Sequence, residues 1–262
     1  MRAITTPQPL ARSRLITSDS SPSPFRAIVN PFVDIVVPVL NEEKILQSSI
    51  ETLDECMMEN LPYRYQITIA DNGSQDNTLK IAKNLVQNHQ SVRVVRLAKR
   101  GRGRALKQVW QSSQADILTY MDVDLSTSLD DFLPMIQPLV AGEAGVAIGS
   151  RLMKKSKTSR GFKREFISRC YNKIIKLTSR TKFSDAQCGF KAIRRDVAKR
   201  FLPKIKDNEW FFDTEFLIKT ERALGPMRRD MVWGWQLPRL WRTAVVILFA
   251  SKASRQLARN LY

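Results

Sequence analysis

From Phe32 onward, short apolar runs rich in β-branched residues alternate with longer stretches of helical periodicity. The runs Phe32 to Val39, Tyr65 to Ala70, Val92 to Leu97, Asp116 to Met121 and Gly145 to Gly149 predict buried strands. Between them, Glu43 to Glu59, Asn77 to His89, Gly103 to Ser113 and Leu129 to Val140 place apolar residues at helical spacing. Such alternation implies right-handed βαβ crossovers. The expected fold class is therefore α/β, a Rossmann-like, mostly parallel sheet with helices on both faces. Residues 1–31, rich in Ser, Thr, Pro and Arg and without apolar periodicity, read as a disordered leader. They contain no apolar core for a signal peptide, and the Arg/Ser bias leaves a transit peptide open. The folded domain is expected over 32–225, followed by a basic tail over 226–262.

Polar residues gather directly behind the strands: Asn41 and Glu42 after the first, Asp71 to Asp76 after the second, Arg100 to Arg104 after the third, and Asp122 and Asp124 after the fourth. In open α/β sheets ligands bind outside the carboxyl ends of the strands, so four polar strand ends describe one crevice. Read as a continuation of the strand, Asp122 and Asp124 share one face while Val123 points away. Two adjacent carboxylates repel unless a cation joins them, and Mg²⁺ is commonly held by one or two carboxylates plus phosphate oxygens. A solvated strand end is the alternative for the pair alone.

The turn Asp71-Asn72-Gly73-Ser74-Gln75-Asp76 explains Gly73, Ser74 and Asp76 as turn and helix-capping residues, but leaves Asp71 free to accept from a base or ribose. In Arg100-Gly101-Arg102-Gly103-Arg104, glycines let backbone approach a diphosphate while guanidinium groups neutralise it. This is neither the dinucleotide fingerprint nor a P-loop.

The chain of 262 residues carries 43 Lys and Arg against 25 Asp and Glu, a net charge of +18, which favours an anionic partner. The excess is local. From Arg151 to Lys182 there are twelve basic residues and one acid, Glu165. A basic amphipathic helix over about 162–180 puts Arg169, Lys173, Lys176 and Arg180 on one stripe and Phe166, Cys170 and Ile174 on another face, a pattern suited to an anionic membrane surface. A solvated helix docked on the core is the competing reading. The three cysteines have no metal-ligand or disulfide spacing, and the single histidine, His89, excludes His-based triads and multi-histidine metal sites and reads as solvated at a helix end. The longest apolar run, Ala244 to Ala250, is far shorter than the ~20 residues of a membrane span.

In this order, Val37-Pro38-Val39-Leu40-Asn41-Glu42-Glu43, Asp71-Asn72-Gly73-Ser74, Gly101-Arg102-Gly103, Asp122-Val123-Asp124, Gly149-Ser150-Arg151, Asp185-Ala186-Gln187-Cys188-Gly189-Phe190-Lys191 and Trp210-Phe211-Phe212-Asp213-Thr214-Glu215 resemble the landmarks of family 2 glycosyltransferases of GT-A fold. The resemblance runs over about Val33 to Leu224 and is greatest to the polyprenyl (dolichyl) phosphate hexosyltransferases, the glucosyltransferase branch above all.

It implies a nucleotide-sugar site at Pro38, Asn41, Glu42, Asp71, Arg102, Asp122 and Gln187, with Asp71 near the base. It implies Mg²⁺ or Mn²⁺ on Asp122 and Asp124, and an acceptor-phosphate clamp of Arg151, Arg164 and Ser168. Catalytic weight falls on Asp124, Arg151 and Asp213, with positioning or electrostatics for Asp213 and Glu215 and helix capping as the alternative for Asp213. Gly189 and Phe190 are expected to be structural, with Gln187 and Lys191 facing the site. The implied reaction is inverting transfer of a hexose from UDP-glucose or GDP-mannose to a polyprenyl or dolichyl phosphate, on the cytosolic face of a membrane. A lipid phosphate is largely dianionic near neutrality and needs no histidine as base.

Beyond Pro226 the pattern fades to the fragment Met231-Val232-Trp233-Gly234-Trp235. Arg239, Trp241, Arg242, Val245, Val246, Leu248 and Phe249 suit an interfacial helix, and a divergent terminus is equally allowed. Two other functions stay open at this level. One is a relative that binds nucleotide sugar with little turnover; the other is a basic nucleic-acid-binding protein, for which no reading motif is present and which leaves the acidic crevice unexplained, so no nucleic-acid partner is expected.

Overall fold

A computed structural model describes residues 25–149, 175, 178–179, 181, 188–224 and 247–248, and in it the run Phe32–Val39 forms β1, the strand around which the sheet is organised. Strands β2 (Arg64–Asp71) and β4 (Ile117–Met121) flank β1, both parallel to it, and β3 (Val92–Arg96) lies parallel outside β2. The chain thus leaves β1 in one direction to build β2 and β3, then returns to its other side for β4. That reversal of strand order, between β1 and β4, is the switch point at which α/β sheets open a crevice. Strands β5 (Val146–Ile148), β6 (Phe190–Arg194) and β7 (Ile247–Leu248) complete the order β3-β2-β1-β4-β6-β5-β7 among the described residues. Here β6 runs antiparallel to β4 and β5, so the four parallel strands carry an antiparallel extension.

The helices divide between two faces. Helices α1 (Leu46–Asn60), α2 (Thr78–Asn88) and α4 (Phe132–Val140) cover one, meeting Val33, Ile35, Val37 and Val39 of β1. Helices α3 (Arg102–Ser112), α5 (Arg195–Phe201) and α6 (Phe212–Leu224) cover the other, meeting Val36, Leu118 and Tyr120. Helix α1 shows how the sequence directs this. Leu46, Ile50, Leu53 and Met57 recur at helical spacing and are all buried, each worth roughly 1.5–3 kcal/mol of transfer from water. The helix stops at Leu61, which is extended because Pro62 follows it.

The predicted strands and helices occur within a few residues of their expected limits. The leader, however, ends earlier than its composition suggests. Ile28 N–H donates to the Val140 carbonyl at 2.8 Å and Arg194 lies over the Phe25 ring, so Phe25 and Ile28, residues expected in the leader, pack against the domain. In the tail, Ile247 and Leu248 are not helical. They pair with β5, whose outer edge offers unpaired backbone groups. The rest of the leader, most of the basic segment about 162–180 and most of the tail lie outside the described residues; within the basic segment Ile175 is buried in the core beside α3 and α5.

Two polar clusters sit at the end of the sheet away from the crevice. Asp34 is fully buried and accepts from the hydroxyls of Thr68 (2.6 Å) and Ser113 (2.5 Å) and from Arg93 Nη2 (2.8 Å). Asp54 of α1 accepts from Tyr65 (2.9 Å) and Ser91 (2.5 Å) and lies 2.8 Å from His89 Nδ1. His89 is thus no solvated helix end; it is half-buried and joins α1 to the end of α2. Finally, Gly149 N–H donates to the Phe190 carbonyl at 2.8 Å, fixing the exit of β5 against the entry of β6.

Candidate active site

The loops after β1 and β2 are bound into one wall. Asn41, at φ +57°, receives a Gln75 N–H on its Oδ1 (2.8 Å) and donates its own N–H to Ser74 Oγ (3.0 Å). Glu42 N–H donates to Thr78 Oγ1 (2.8 Å), and Glu43 accepts from both the backbone and side chain of Asn77 at 2.9 Å. Asp76 receives the Thr78 N–H at the start of α2 as expected, and also that of Glu43. Pro38 packs on Ala70 across the ladder, one step before Val39 meets Asp71.

Asp71 is fully buried and its two oxygens differ. Oδ1 accepts the Ser74 N–H at 3.0 Å, whereas Oδ2 has no hydrogen-bond partner within the protein and faces Arg96 Nε at 3.9 Å. Beside it opens a cavity of about 590 Å³ lined by Gly73, Ser74, Gln75, Arg96, Leu97, Ala98 and Arg100.

The Arg-Gly segment is used differently from its sequence reading. Gly101, at φ +143°, donates its N–H to Asn72 Oδ1 (2.8 Å), and any β-carbon there would crowd the Asn208 carbonyl and Glu209. Its freedom serves contact with the loop before α6. Arg102 then opens α3 and turns inward. Its Nη2 lies 2.6 Å from both Tyr120 Oη and Asp122 Oδ1, its guanidinium sits over the rings of Tyr120 and Trp210, and its Nε is buried without a partner. Burial opposes this charge, but Tyr120, Asp122 and Asp213 outweigh it and hold the guanidinium above its ordinary pKa.

Asp122 and Asp124 do not continue the strand. It ends at Met121, and the pair occupies a turn in which Leu125 takes φ +45° and donates its N–H to the Asp122 carbonyl. The two carboxylates are therefore unlike: Asp122 is partly buried against Arg102, while Asp124 is exposed and accepts the Ser126 N–H at 3.1 Å. Asp122 is fixed from below by Gly189, where any β-carbon would overlap its carboxylate. Across the crevice, burial together with Asp124 and Asp76 raises the Glu42 pKa above the usual carboxylate value. Glu42 and Asp124 thus form a negative spot on either side of the switch point. Among the described residues no cluster of three or more ligating side chains is preformed. Two carboxylates offer the hard oxygen donors that Mg²⁺ or Mn²⁺ accepts when a substrate supplies its remaining ligands.

Behind Asp122 lies a buried relay that sequence reasoning missed. Tyr120 accepts from Arg102 and donates to Asp213 Oδ2 at 3.5 Å; Lys191 Nζ stands 3.0 Å from Asp213 Oδ1 and donates to the Cys188 carbonyl at 2.5 Å. Burial first, and then Asp213, push the Tyr120 phenol well above its ordinary pKa, so it stays a donor. Tyr120 and Lys191 are cross-strand partners of β4 and β6. The signal available was period two: Tyr120 stands two residues before Asp122. Asp213 is the second residue of α6 and is almost wholly buried, so it is no helix cap. Lys191 faces Asp213 and not open crevice. Glu215 is bound to the Lys206 and Asp207 N–H groups and to Lys219; burial alone would raise its pKa, and these partners lower it. Phe190 is buried as expected. Arg151, Arg164, Ser168 and Gln187 lie outside the described residues.

Residues 34–202 match the family described as Glycosyl transferase family 2. Among curated proteins, the chain is 33% identical over 193 residues to "Glycosyltransferase AglD" of Haloferax volcanii, covering 73% of this chain and 31% of that protein. It is 30% identical over 200 residues to the dolichyl-phosphate beta-glucosyltransferase of Homo sapiens, covering 71% of this chain and 61% of the relative. The chain thus spans less than two thirds of these relatives. Among solved structures, glucosyl-3-phosphoglycerate synthase from Mycobacterium tuberculosis, crystallised with Mn²⁺, UDP-glucose and phosphoglyceric acid, superposes with a TM-score of 0.54 at 19% identity over 73% of this chain and 65% of that one, a likeness of fold. The architecture is GT-A. With a family match over more than half its length, the chain belongs to glycosyl transferase family 2.

Proposed function

We propose that the chain transfers glucose from UDP-glucose to a polyprenyl or dolichyl phosphate, with inversion, at the cytosolic face of a membrane. The observation that carries the donor assignment is the inequality of the Asp71 oxygens. Oδ1 already accepts the Ser74 N–H, whereas the buried Oδ2 has no hydrogen-bond partner within the protein. Uracil presents one imide N–H to such a site. Guanine presents N1–H and N2–H₂ side by side and would reach both oxygens only by sharing Oδ1 with the Ser74 N–H, so the single free oxygen suits uracil better. The similarity to dolichyl-phosphate beta-glucosyltransferases supports glucose and a lipid phosphate.

In this reading Asp71 holds the base, and the joined loops of Asn41, Glu42 and Ser74 keep that wall rigid. Asp122 and Asp124 hold Mg²⁺ or Mn²⁺ against the diphosphate; when bound, the cation stabilises the departing nucleoside diphosphate. Arg102 stands beside it as a second positive group. The acceptor phosphate arrives already charged, so the chain need only orient it for in-line attack at the anomeric carbon, giving a β-linked product. Arg151, Arg164 and Ser168 are the residues we assign to that clamp. Asp213, enclosed by Lys191 and Tyr120, acts as a positioning residue for the relay behind Asp122. No described helix is long and apolar enough to cross a membrane.

The test is transfer of labelled glucose from UDP-glucose to dolichyl phosphate by the full chain, with Mg²⁺ and Mn²⁺ compared and GDP-mannose as the competing donor. A β-linked glucosyl lipid is expected, with loss on the order of 10²-fold in Asp124→Ala. Preference for GDP-mannose, or undiminished transfer by Asp124→Ala, would overturn the assignment.

A further inference from the structure

Arg102 and Asp122 are too close for both to serve the nucleotide as they stand. The guanidinium Nη2 touches Asp122 Oδ1 at 2.6 Å, occupying one of the two oxygens a divalent ion would use. The carboxylate has little freedom to turn away, because the backbone of Gly189 fills the space beneath it. Arg102 is the movable partner. Its pose is incompletely satisfied: Nη2 serves both Asp122 and Tyr120, while Nε is buried with no acceptor. Its side chain keeps 21% of its exposure, so a path to the crevice exists.

We propose that Arg102 is the resident counter-cation of Asp122, displaced by the divalent ion only when a nucleoside diphosphate arrives to receive the guanidinium. The two cations compete for one carboxylate. A metal ion alone must strip Arg102 from Asp122 and leave a buried positive charge without its anion, which disfavours binding. A diphosphate removes that obstacle, since its oxygens accept a guanidinium as well as a carboxylate does and fill the metal's remaining positions. Metal and nucleotide therefore bind with positive coupling, each raising the other's affinity by the same factor. Trp210, whose ring already lies under the guanidinium, provides a surface along which Arg102 shifts without losing its cation–π contact. The exchange also keeps Asp122 neutralised in the absence of substrate, so the free metal ion is not held where water could use it.

This inference rests on the metal and nucleotide reading above, and the experiment separates the two. Mn²⁺ binding to the full chain is measured by electron paramagnetic resonance, alone and with saturating UDP, for the unaltered protein, Arg102→Met, Arg102→Lys and Asp122→Asn. The unaltered protein should bind Mn²⁺ weakly alone and about 10–100-fold more tightly with UDP, within the usual range of coupling between sites. Arg102→Met should bind Mn²⁺ alone at least about tenfold more tightly, with most of the coupling gone. Arg102→Lys, which keeps the charge on a shorter side chain without the planar guanidinium, should fall between and serves if Arg102→Met does not fold. Asp122→Asn should bind poorly in both conditions. Equal Mn²⁺ affinity in the unaltered protein and both Arg102 variants, with normal Mn²⁺–UDP binding, overturns the exchange and spares the function. No Mn²⁺–UDP binding by the unaltered protein overturns both.

Discussion

Lys191 and Asp213 form an ion pair of 3.0 Å with 3% and 5% of their side chains exposed, joining the antiparallel strand β6 to the first turn of α6. Removing one partner strands the other charge in the core. Asp213→Ala should cost about 3–5 kcal/mol in urea unfolding, and the double variant Lys191→Met/Asp213→Leu should recover much of it. If Asp213 acts by position, Asp213→Asn should lower kcat while leaving the pH profile of transfer unchanged. Loss of an ionisation from that profile would instead make it a base.

Gly189 leaves space for Asp122 that no other residue would leave. Gly189→Ala should cost about 1–3 kcal/mol through overcrowding and, more tellingly, abolish Mn²⁺–UDP binding in a protein that still unfolds cooperatively. Unchanged binding would mean that Asp122 holds no metal. Calorimetric titration beside thermal unfolding reads both effects.

Asp71 is the residue on which donor choice turns. Asp71→Asn replaces a charged acceptor by an amide that cannot accept at both oxygens, and the charge-assisted bond from Ser74 is weakened as well. UDP affinity should fall by about tenfold or more, ~1.4 kcal/mol, with the acceptor KM unchanged.

The Asp54 cluster sets the behaviour at extremes of pH. Burial opposes the Asp54 charge, but the hydrogen bonds from Ser91, His89 and Tyr65 prevail and lower its pKa below 3.8. A lowered carboxylate adds stability above its unfolded pKa and loses it as pH falls through the folded value, so the loss should appear below about pH 3.9. Tyr65 is the opposite case: burial, then Asp54, push it from 10.0 up to about 12. Its contribution is whole below pH 10 and disappears as pH rises toward 12. Thermal unfolding across pH should show both limbs in the unaltered protein. Tyr65→Phe should flatten the alkaline limb, and Asp54→Asn the acid one.

The periodicity of the chain was enough to locate the sheet and its helices, because apolar runs such as Phe32–Val39 and helical stripes such as that of α1 are local statements about burial. What it could not convey were contacts between distant residues. Asp122 and Asp124 looked equivalent two residues apart; the strand ends at Met121, and one is drawn to Arg102 while the other meets solvent. Lys191 and Asp213 carried no sign of each other across the intervening chain. Tyr120 passed as one more apolar residue of a strand, since its hydroxyl is useful only where α3 and α6 come together behind β4. Arg102 was expected against a diphosphate, and its partners in the structure, Tyr120 and Asp122, depended on geometry that spacing does not encode.

The hydrogen bond from Gly149 to Phe190 gives the segment between them a single doorway: it leaves and re-enters the sheet at adjoining points. Changes within residues 150–187 that spare the core residue Ile175 leave in place the strand register behind Asp71 and Asp122, and the Cys188-Gly189 pair that supports Lys191 and Asp122. A lineage that keeps those anchors can vary the rest of the segment while the wall around Asp71, built from residues 38–78, stays as it is, much as a tool head is changed on a fixed handle.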